Sequence, residues 1–150
     1  MPKPWREISA WRSRTPLERF LLHTEITIDP NACWLWIGGR KKAGYGHFSV
    51  GNKKVIAHRW SYQHFIGSIP ENYEVDHAVC NNPSCVRPDH LEAVTVRVNR
   101  DRRNARKTHC PRNHPYNETN TRLQKDSAGY LTRVCRICEA LRHRRTPRCL

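Results

Sequence analysis

The chain has 150 residues, 37% of them hydrophobic, with 27 Lys and Arg against 13 Asp and Glu, a formal charge of +14. That length holds one domain or two small ones, and the apolar share lies below the roughly 45–50% of an average globular domain, which also counts glycine. No run approaches the roughly 18 apolar residues of a membrane span, and Met1–Arg14 has no apolar stretch that would make a signal peptide, so neither a membrane-spanning nor an exported protein is expected.

Thr15-Pro16-Leu17-Glu18 is a capping box with proline at the first helical position, and Leu17, Phe20 and Leu21 continue it as a short amphipathic helix to about His23. Asp29-Pro30-Asn31 is a turn. Cys33-Trp34-Leu35-Trp36-Ile37 reads as a strand closed by Gly38-Gly39. Tyr45–Val50 and Lys54–Ala57 flank Gly51-Asn52 as a hairpin. A helix is expected over His58–Phe65, with Trp60 and Phe65 in the core and Gly67 as its stop. Tyr73–His77 reads as a strand, Cys80–His90 as a loop, Leu91–Thr95 as a return strand and Val96 to about Asn104 as a helix. Thr108–Leu150 reads as a second small unit. Among the early aromatics, Trp5, Trp11, Trp34, Trp36 and Tyr45 interleave with basic residues, and most are expected in the core.

The charge is uneven. Residues 1–95 carry a net +3, whereas residues 96–150 hold 15 basic and 4 acidic side chains, net +11, with Arg outnumbering Lys by 13 to 2. Such a block favours a polyanion, because arginine forks match phosphate oxygens and base edges. Arg100, Arg102, Arg103, Arg106, Lys107, Arg133 and Arg136 are the candidate contacts to such a polyanion. Arg40, Lys41 and Lys42 sit between predicted strands, as either a ribbon lying in a groove or a solvated hairpin end.

Seven cysteines without an export signal argue for metal rather than disulfides. Cys80, Cys85 and His90, each separated from the next by four residues, can wrap a tetrahedral Zn²⁺. Cys33 is either the fourth ligand or a small buried residue of the strand beside Trp34. Cys110 with His114, then Cys135 with Cys138, have zinc-ribbon or treble-clef spacing, and His109 is a poorer substitute for His114 because it adjoins Cys110. Cys149 is left over as a free thiol. Asp76-His77 ends a predicted strand and Asn99 lies on the following helix. Histidine suits proton abstraction near neutral pH, and Asp and Asn oxygens suit a hard cation such as Mg²⁺.

Together these residues resemble a ββα-metal (HNH) nuclease motif, and the Cys80/Cys85/His90 loop with an upstream Cys is similar to the His-Cys box homing endonucleases. Cys33-Trp34-Leu35-Trp36, Ala57-His58-Arg59, Gly67-Ser68-Ile69-Pro70-Glu71 and His90-Leu91-Glu92-Ala93-Val94-Thr95 look like phage-borne HNH endonucleases. The resemblance implies an α+β nuclease core stapled by zinc over residues 1–104 and a basic zinc-binding, DNA-contacting unit over 105–150. It implies His77 as general base, Asp76 and Asn99 holding one Mg²⁺ (or Mn²⁺), two structural Zn²⁺, and double-stranded DNA as substrate. Arg59 is either a clamp on the scissile phosphate or a structural ion-pair partner. The same resemblance places the protein in a host-cell interior as a phage or mobile-element product, and leaves monomer or homodimer open. A non-catalytic zinc-dependent DNA-binding protein is the rival reading, and an RNA-binding zinc protein a weaker third.

Overall fold

Thr15 caps the first helix. Its hydroxyl accepts the Glu18 N–H at 3.2 Å while the Glu18 carboxylate takes the Thr15 N–H at 2.7 Å, in a computed structural model that describes residues 13–127 and 129–144. Trp5, Trp11 and Cys149 lie outside the described residues. The chain is α+β, and its internal contacts divide it into two units at Asn99–Arg100.

In the first unit the order is α1 (Pro16–Leu22), β1 (Thr24–Glu25), β2 (Leu35–Trp36), β3 (His47–Val50), β4 (Lys53–Ile56), α2 (Ala57–Phe65), β5 (Tyr73–Asp76), a 3-10 turn (Pro88–His90) and β6 (Glu92–Thr95), leading into α3 (Val96–Ala105). The strands form three separate antiparallel pairs, β1–β2, β3–β4 and β5–β6. Gly51, at φ +57°, makes the tight turn between β3 and β4 that a side chain would strain. The core joins these pieces. Phe20 from α1, Trp36 from β2, Phe48 from β3, Ala57 from α2 and Val86 from the loop after β5 are all buried, with Trp34, Val50, Val55 and Trp60 packed around them. The rings meet at angles, with Phe20 and Trp60 centroids at 4.5 Å and Phe48 edge-on to Trp36 at 5.7 Å.

Two expectations for this unit need correction. Only Leu35–Trp36 of the segment 33–37 pairs with β1. The rest turns to the loop after β5, where Val86 N–H meets the Trp34 carbonyl and Trp36 N–H meets the Ser84 carbonyl, each at 2.8 Å. Phe65 is 42% exposed rather than core, because Phe20 and Trp60 already fill the space beneath α2.

The second unit contains β7 (Thr121–Lys125) and β8 (Leu131–Cys135), an antiparallel hairpin, followed at once by α4 (Arg136–Arg144). Its turn is tied by Asp126, whose Oδ1 accepts the Tyr130 N–H at 2.9 Å, and by Gly129 at φ +80°. The hairpin was not anticipated from the sequence, since Arg122, Gln124, Lys125 and Arg133 break any apolar alternation along it. Arg122 forms an ion pair with Glu139 of α4 at 2.5 Å, worth at most about 1 kcal/mol at such a partly exposed position.

Candidate metal centres and catalytic site

Two Cys/His sets converge. Cys33, Cys80, Cys85 and His90 bring their ligand atoms within 4.8 Å of one another, and so do Cys110, His114, Cys135 and Cys138. Bond lengths of about 2.3 Å to sulfur and about 2.05 Å to nitrogen make the S···N edge of a zinc tetrahedron about 3.6 Å and its S···S edge about 3.8 Å. In the first set, His90 Nδ1 lies 3.7 Å from Cys33 Sγ and 3.6 Å from Cys85 Sγ. In the second, His114 Nδ1 lies 3.5, 3.7 and 3.2 Å from the sulfurs of Cys110, Cys135 and Cys138, and the Cys110–Cys138 sulfurs are 3.6 Å apart. The sulfurs are unbridged thiols, and the donors fit a tetrahedral cation. Each set therefore could hold zinc.

The local folding explains the convergence. The backbone bonds between Trp34–Trp36 and Ser84–Val86 carry Cys33 to Cys85 across 52 positions, and the 3-10 turn at Pro88–His90 points His90 back at both. In the second set, the Cys110 N–H bonds to the His114 carbonyl at 2.9 Å, with Asn113 left-handed at φ +62°, which curls the chain into a knuckle. His109 stands apart, exposed, with its ring against the Thr108 hydroxyl at 2.9 Å.

Burial pushes the Cys85 thiol up, and it raises Cys80 as well. Cys138 is pushed up to about 11 by burial and the neighbouring thiols. At Cys135 burial also raises the thiol, but the Cys138 backbone N–H and the Asn120 side chain outweigh it and bring it down to about 6. Asn120 escaped the sequence analysis. It is 5% exposed, its Nδ2 donates to the Pro115 carbonyl at 2.6 Å and faces Cys135 Sγ at 3.4 Å, and its Oδ1 accepts the Ile137 N–H at 3.1 Å. A lone asparagine gives no signal of that role in sequence.

Asp76 and His77 sit at the end of β5, 7% and 5% exposed. His77 Nε2 lies 3.0 Å from the Cys85 carbonyl oxygen. That oxygen can only accept, so Nε2 carries the proton and Nδ1 carries the basic lone pair. The carbonyl belongs to a residue whose sulfur is in the first metal set, so one residue serves both. Asn99 is tied to the same strand. Its Nδ2 donates to Glu74 Oε2 at 2.5 Å, which leaves Oδ1 as the amide atom able to meet a hard cation. Glu74 and Asp76 share one face of β5 by the two-residue strand period.

His58, on α2, is the residue the sequence analysis quoted without giving it a place in the site. Its ring centroid is 4.6 Å from that of His77, and Tyr45 lies 5.4 and 6.0 Å from the two imidazoles. Only its neighbour Arg59 was singled out, and Arg59 lies half-buried on α2. Burial, with the charges of His77 and Arg59, pushes His58 down to about 3. The folded protein thus refuses a proton that the unfolded chain takes at about 6.5. Stability from this residue is complete above pH 6.5 and falls as the pH drops, by about 2 kcal/mol at pH 5. Urea unfolding at pH 7.5 and pH 5 with excess zinc should show this loss, and His58→Gln should remove about that much of it. Parallel pH dependence in the two proteins would exclude His58 as the source.

Arg40 is committed locally, with both Nε, at 2.9 Å, and Nη2 on the Trp36 carbonyl. The loop it opens closes by the Lys41 N–H on the Tyr45 carbonyl at 2.8 Å and touches the first metal loop, where the Ser84 hydroxyl meets the Gly44 carbonyl at 3.3 Å. Lys41 and Lys42 are exposed. In the second unit, Arg133 lies 4.7 Å over the Tyr116 ring and Arg100 lies 5.5 Å over Tyr130, while Arg103, Arg106, Lys107 and Arg136 are exposed and Arg102 is half-exposed.

Residues 55–101 match the HNH endonuclease family. The chain is 29% identical over 90 residues to the uncharacterized gene 5.3 protein of Enterobacteria phage T3, covering 52% of this chain and 88% of that protein. It is 37% identical over 67 residues to protein 7.7 of Escherichia phage T7 and 33% identical over 76 residues to protein 2.8 of the same phage, matching 45% and 49% of this chain. The matches span about half the length of each T7 protein. No solved structure matches. No helix among the described residues is long and apolar enough to cross a membrane. The stretch similar to the HNH endonuclease family runs from the end of β4 through α2, β5 and β6 into α3 and includes His58, Asp76, His77 and Asn99.

Proposed function

We propose that this protein is a metal-dependent endonuclease that hydrolyses phosphodiester bonds of double-stranded DNA. The observation that carries the reading is the 3.0 Å bond from His77 Nε2 to the Cys85 carbonyl, because it assigns the basic nitrogen of a buried imidazole on the strand that also bears Asp76. Zn²⁺ fills both Cys/His sets as a structural ion. Asp76 and the Asn99 Oδ1 hold one Mg²⁺, for which Mn²⁺ can substitute. When bound, that ion supplies Lewis acidity toward the scissile phosphate and orients it. His77 Nδ1 takes the proton of the attacking water, and the Cys85 carbonyl stabilises the imidazolium that forms. Glu74 holds the Asn99 amide in place. Arg59 clamps a phosphate oxygen.

Residues 1–104 do the chemistry and residues 105–150 add affinity through phosphate contacts. Arg40, Lys41 and Lys42 contribute beside the site, with Arg100, Arg102, Arg103, Arg106, Lys107, Arg133 and Arg136 beyond it. The action lies inside a bacterial host, a reading supported by the similarity to phage proteins. The direct test is plasmid nicking with Mg²⁺, without it, and with EDTA. Mg²⁺-dependent nicking supports the reading. Duplex binding with no nicking under any divalent ion would instead make this a zinc-dependent DNA-binding protein on the same fold.

The basic unit makes its own prediction. A chain ending near Ala105 keeps Asp76, His77 and Asn99 and should retain weak nicking at low salt with relaxed site preference. Its duplex affinity should fall less steeply with salt, by about 0.9 in log K against log salt for each phosphate contact removed. Titrations of both chains at several salt concentrations decide it, and equal slopes would show that the tail does not touch DNA.

A further inference from the structure

The outer face of the β3–β4 hairpin carries groups for which the nuclease reading gives no use. Phe48 and Val50 of β3 pack inward with Val55 of β4, so His47 and Ser49 turn outward. The register sets Lys54 opposite Ser49 and Ile56 opposite His47, on the same outward face. Two cavities of about 240 and 370 Å³ border this hairpin, and His47 lines both. Arg19 and His23 line the first with it, and Lys41 and Lys54 the second. Among the described residues, neither lining contains a carboxylate.

The basic groups are held in place. Arg19 Nη1 donates to the Ser49 carbonyl at 3.1 Å, and its guanidinium carbon sits 5.8 Å from the Phe48 ring. His23 Nδ1 donates to the Arg19 carbonyl at 2.8 Å, and its ring stacks on Trp36 at 5.5 Å. His47 rests on Gly39, where a Cβ would come within 2.7 Å of Nε2. Arg19, Lys41 and Lys54 bring positive charge to these linings, and the His23 and His47 rings add hydrogen-bonding nitrogens. The fixed guanidinium and the flexible ammonium groups suit phosphate oxygens.

We propose that this face is a phosphate-contacting surface, on which Arg19, His23, His47, Lys41 and Lys54 hold the backbone of the DNA duplex. The proposal rests on DNA being the substrate, and its occupant is the duplex itself. It extends the interface from the Arg40–Lys42 loop onto the hairpin, through residues that no composition or spacing signal in the sequence groups together.

The test compares two adjacent lysines of equal charge. Lys54 lies on the proposed face, and Lys53 lies on the other face of the same strand, paired with Val50. Affinity of the full-length chain for a short fluorescent duplex is measured at several salt concentrations for Lys54→Gln, Lys53→Gln and the Lys41→Gln/Lys54→Gln pair, with nicking assayed on the same preparations. Lys54→Gln should reduce the slope of log K against log salt by about 0.9 and the pair by about 1.8, with Lys53→Gln close to wild type. Equal effects of Lys53 and Lys54 would reduce the observation to net charge and overturn the proposal, as would unchanged slopes. The expected slopes in a chain that never nicks would keep the surface and remove the endonuclease reading. Nicking with unchanged slopes would do the reverse, and a chain that binds no duplex would remove both.

Discussion

Replacing His77 with Ala should lower plasmid nicking by about 10²–10⁴-fold while duplex affinity stays unchanged. The imidazole is buried against His58 and Tyr45 and bonded to the Cys85 carbonyl, so as the proposed base it would supply a proton acceptor and no external charge for DNA. Because truncation leaves a hole beneath Tyr45, His77→Gln is the companion variant. Its amide N–H can still donate to the Cys85 carbonyl, but it offers no nitrogen base. Both variants should bind duplex and retain zinc, and both should be inactive. Nicking at the wild-type rate by either would exclude His77 as the base.

Withdrawing zinc from the Cys33, Cys80, Cys85 and His90 set should have an even larger effect, because it unfolds the unit. Structural zinc contributes apparent binding energies of about 10–16 kcal/mol, and a domain has a net stability of only about 5–15 kcal/mol. With zinc bound there, this unit would be particularly dependent on it. Its buried core is a small set of aromatics, and the loop that carries Cys80–His90 is mostly irregular chain. Protein purified without chelator should contain about two zinc per chain. A zinc-selective chelator in the presence of excess Mg²⁺ should abolish both the cooperative thermal transition of this unit and its nicking, and restored zinc should return both. Cys85→Ser should be more damaging to activity than Cys33→Ser at matched zinc occupancy, because it keeps the carbonyl that His77 bonds but loosens the side-chain ligation that would fix that carbonyl's position. A chain that melts cooperatively and stays active without zinc would dismiss the structural role.

Much of this was legible in the sequence because it depended on neighbours along the chain. The Thr15–Glu18 capping box, the Gly51 hairpin turn and the Asp76-His77 pair before a cysteine loop are local patterns with local physics. The second metal set was readable because its ligands come as two short chelating pairs. Cys33 stood open between ligand and core residue, and what gathers it to the first set is a pair of backbone hydrogen bonds from Trp34 and Trp36 to the distant Ser84–Val86 segment. Those bonds, formed across separate elements, also cut short the strand expected over 33–37. The β7–β8 hairpin was invisible because its charged residues break the apolar alternation.

By itself, then, the sequence determined the ligand types, the order of strand, loop, strand and helix around Asp76, and the concentration of charge beyond residue 95. Only the tertiary structure decided which nitrogen of His77 faces the Cys85 carbonyl, that Glu74 holds Asn99, that His58 packs on His77, and that Asn120 braces Cys135. The physical reason is common to all four. Each depends on a hydrogen bond or ring contact between groups eight or more residues apart, whose geometry exists only after the apolar core and the loops have closed around them.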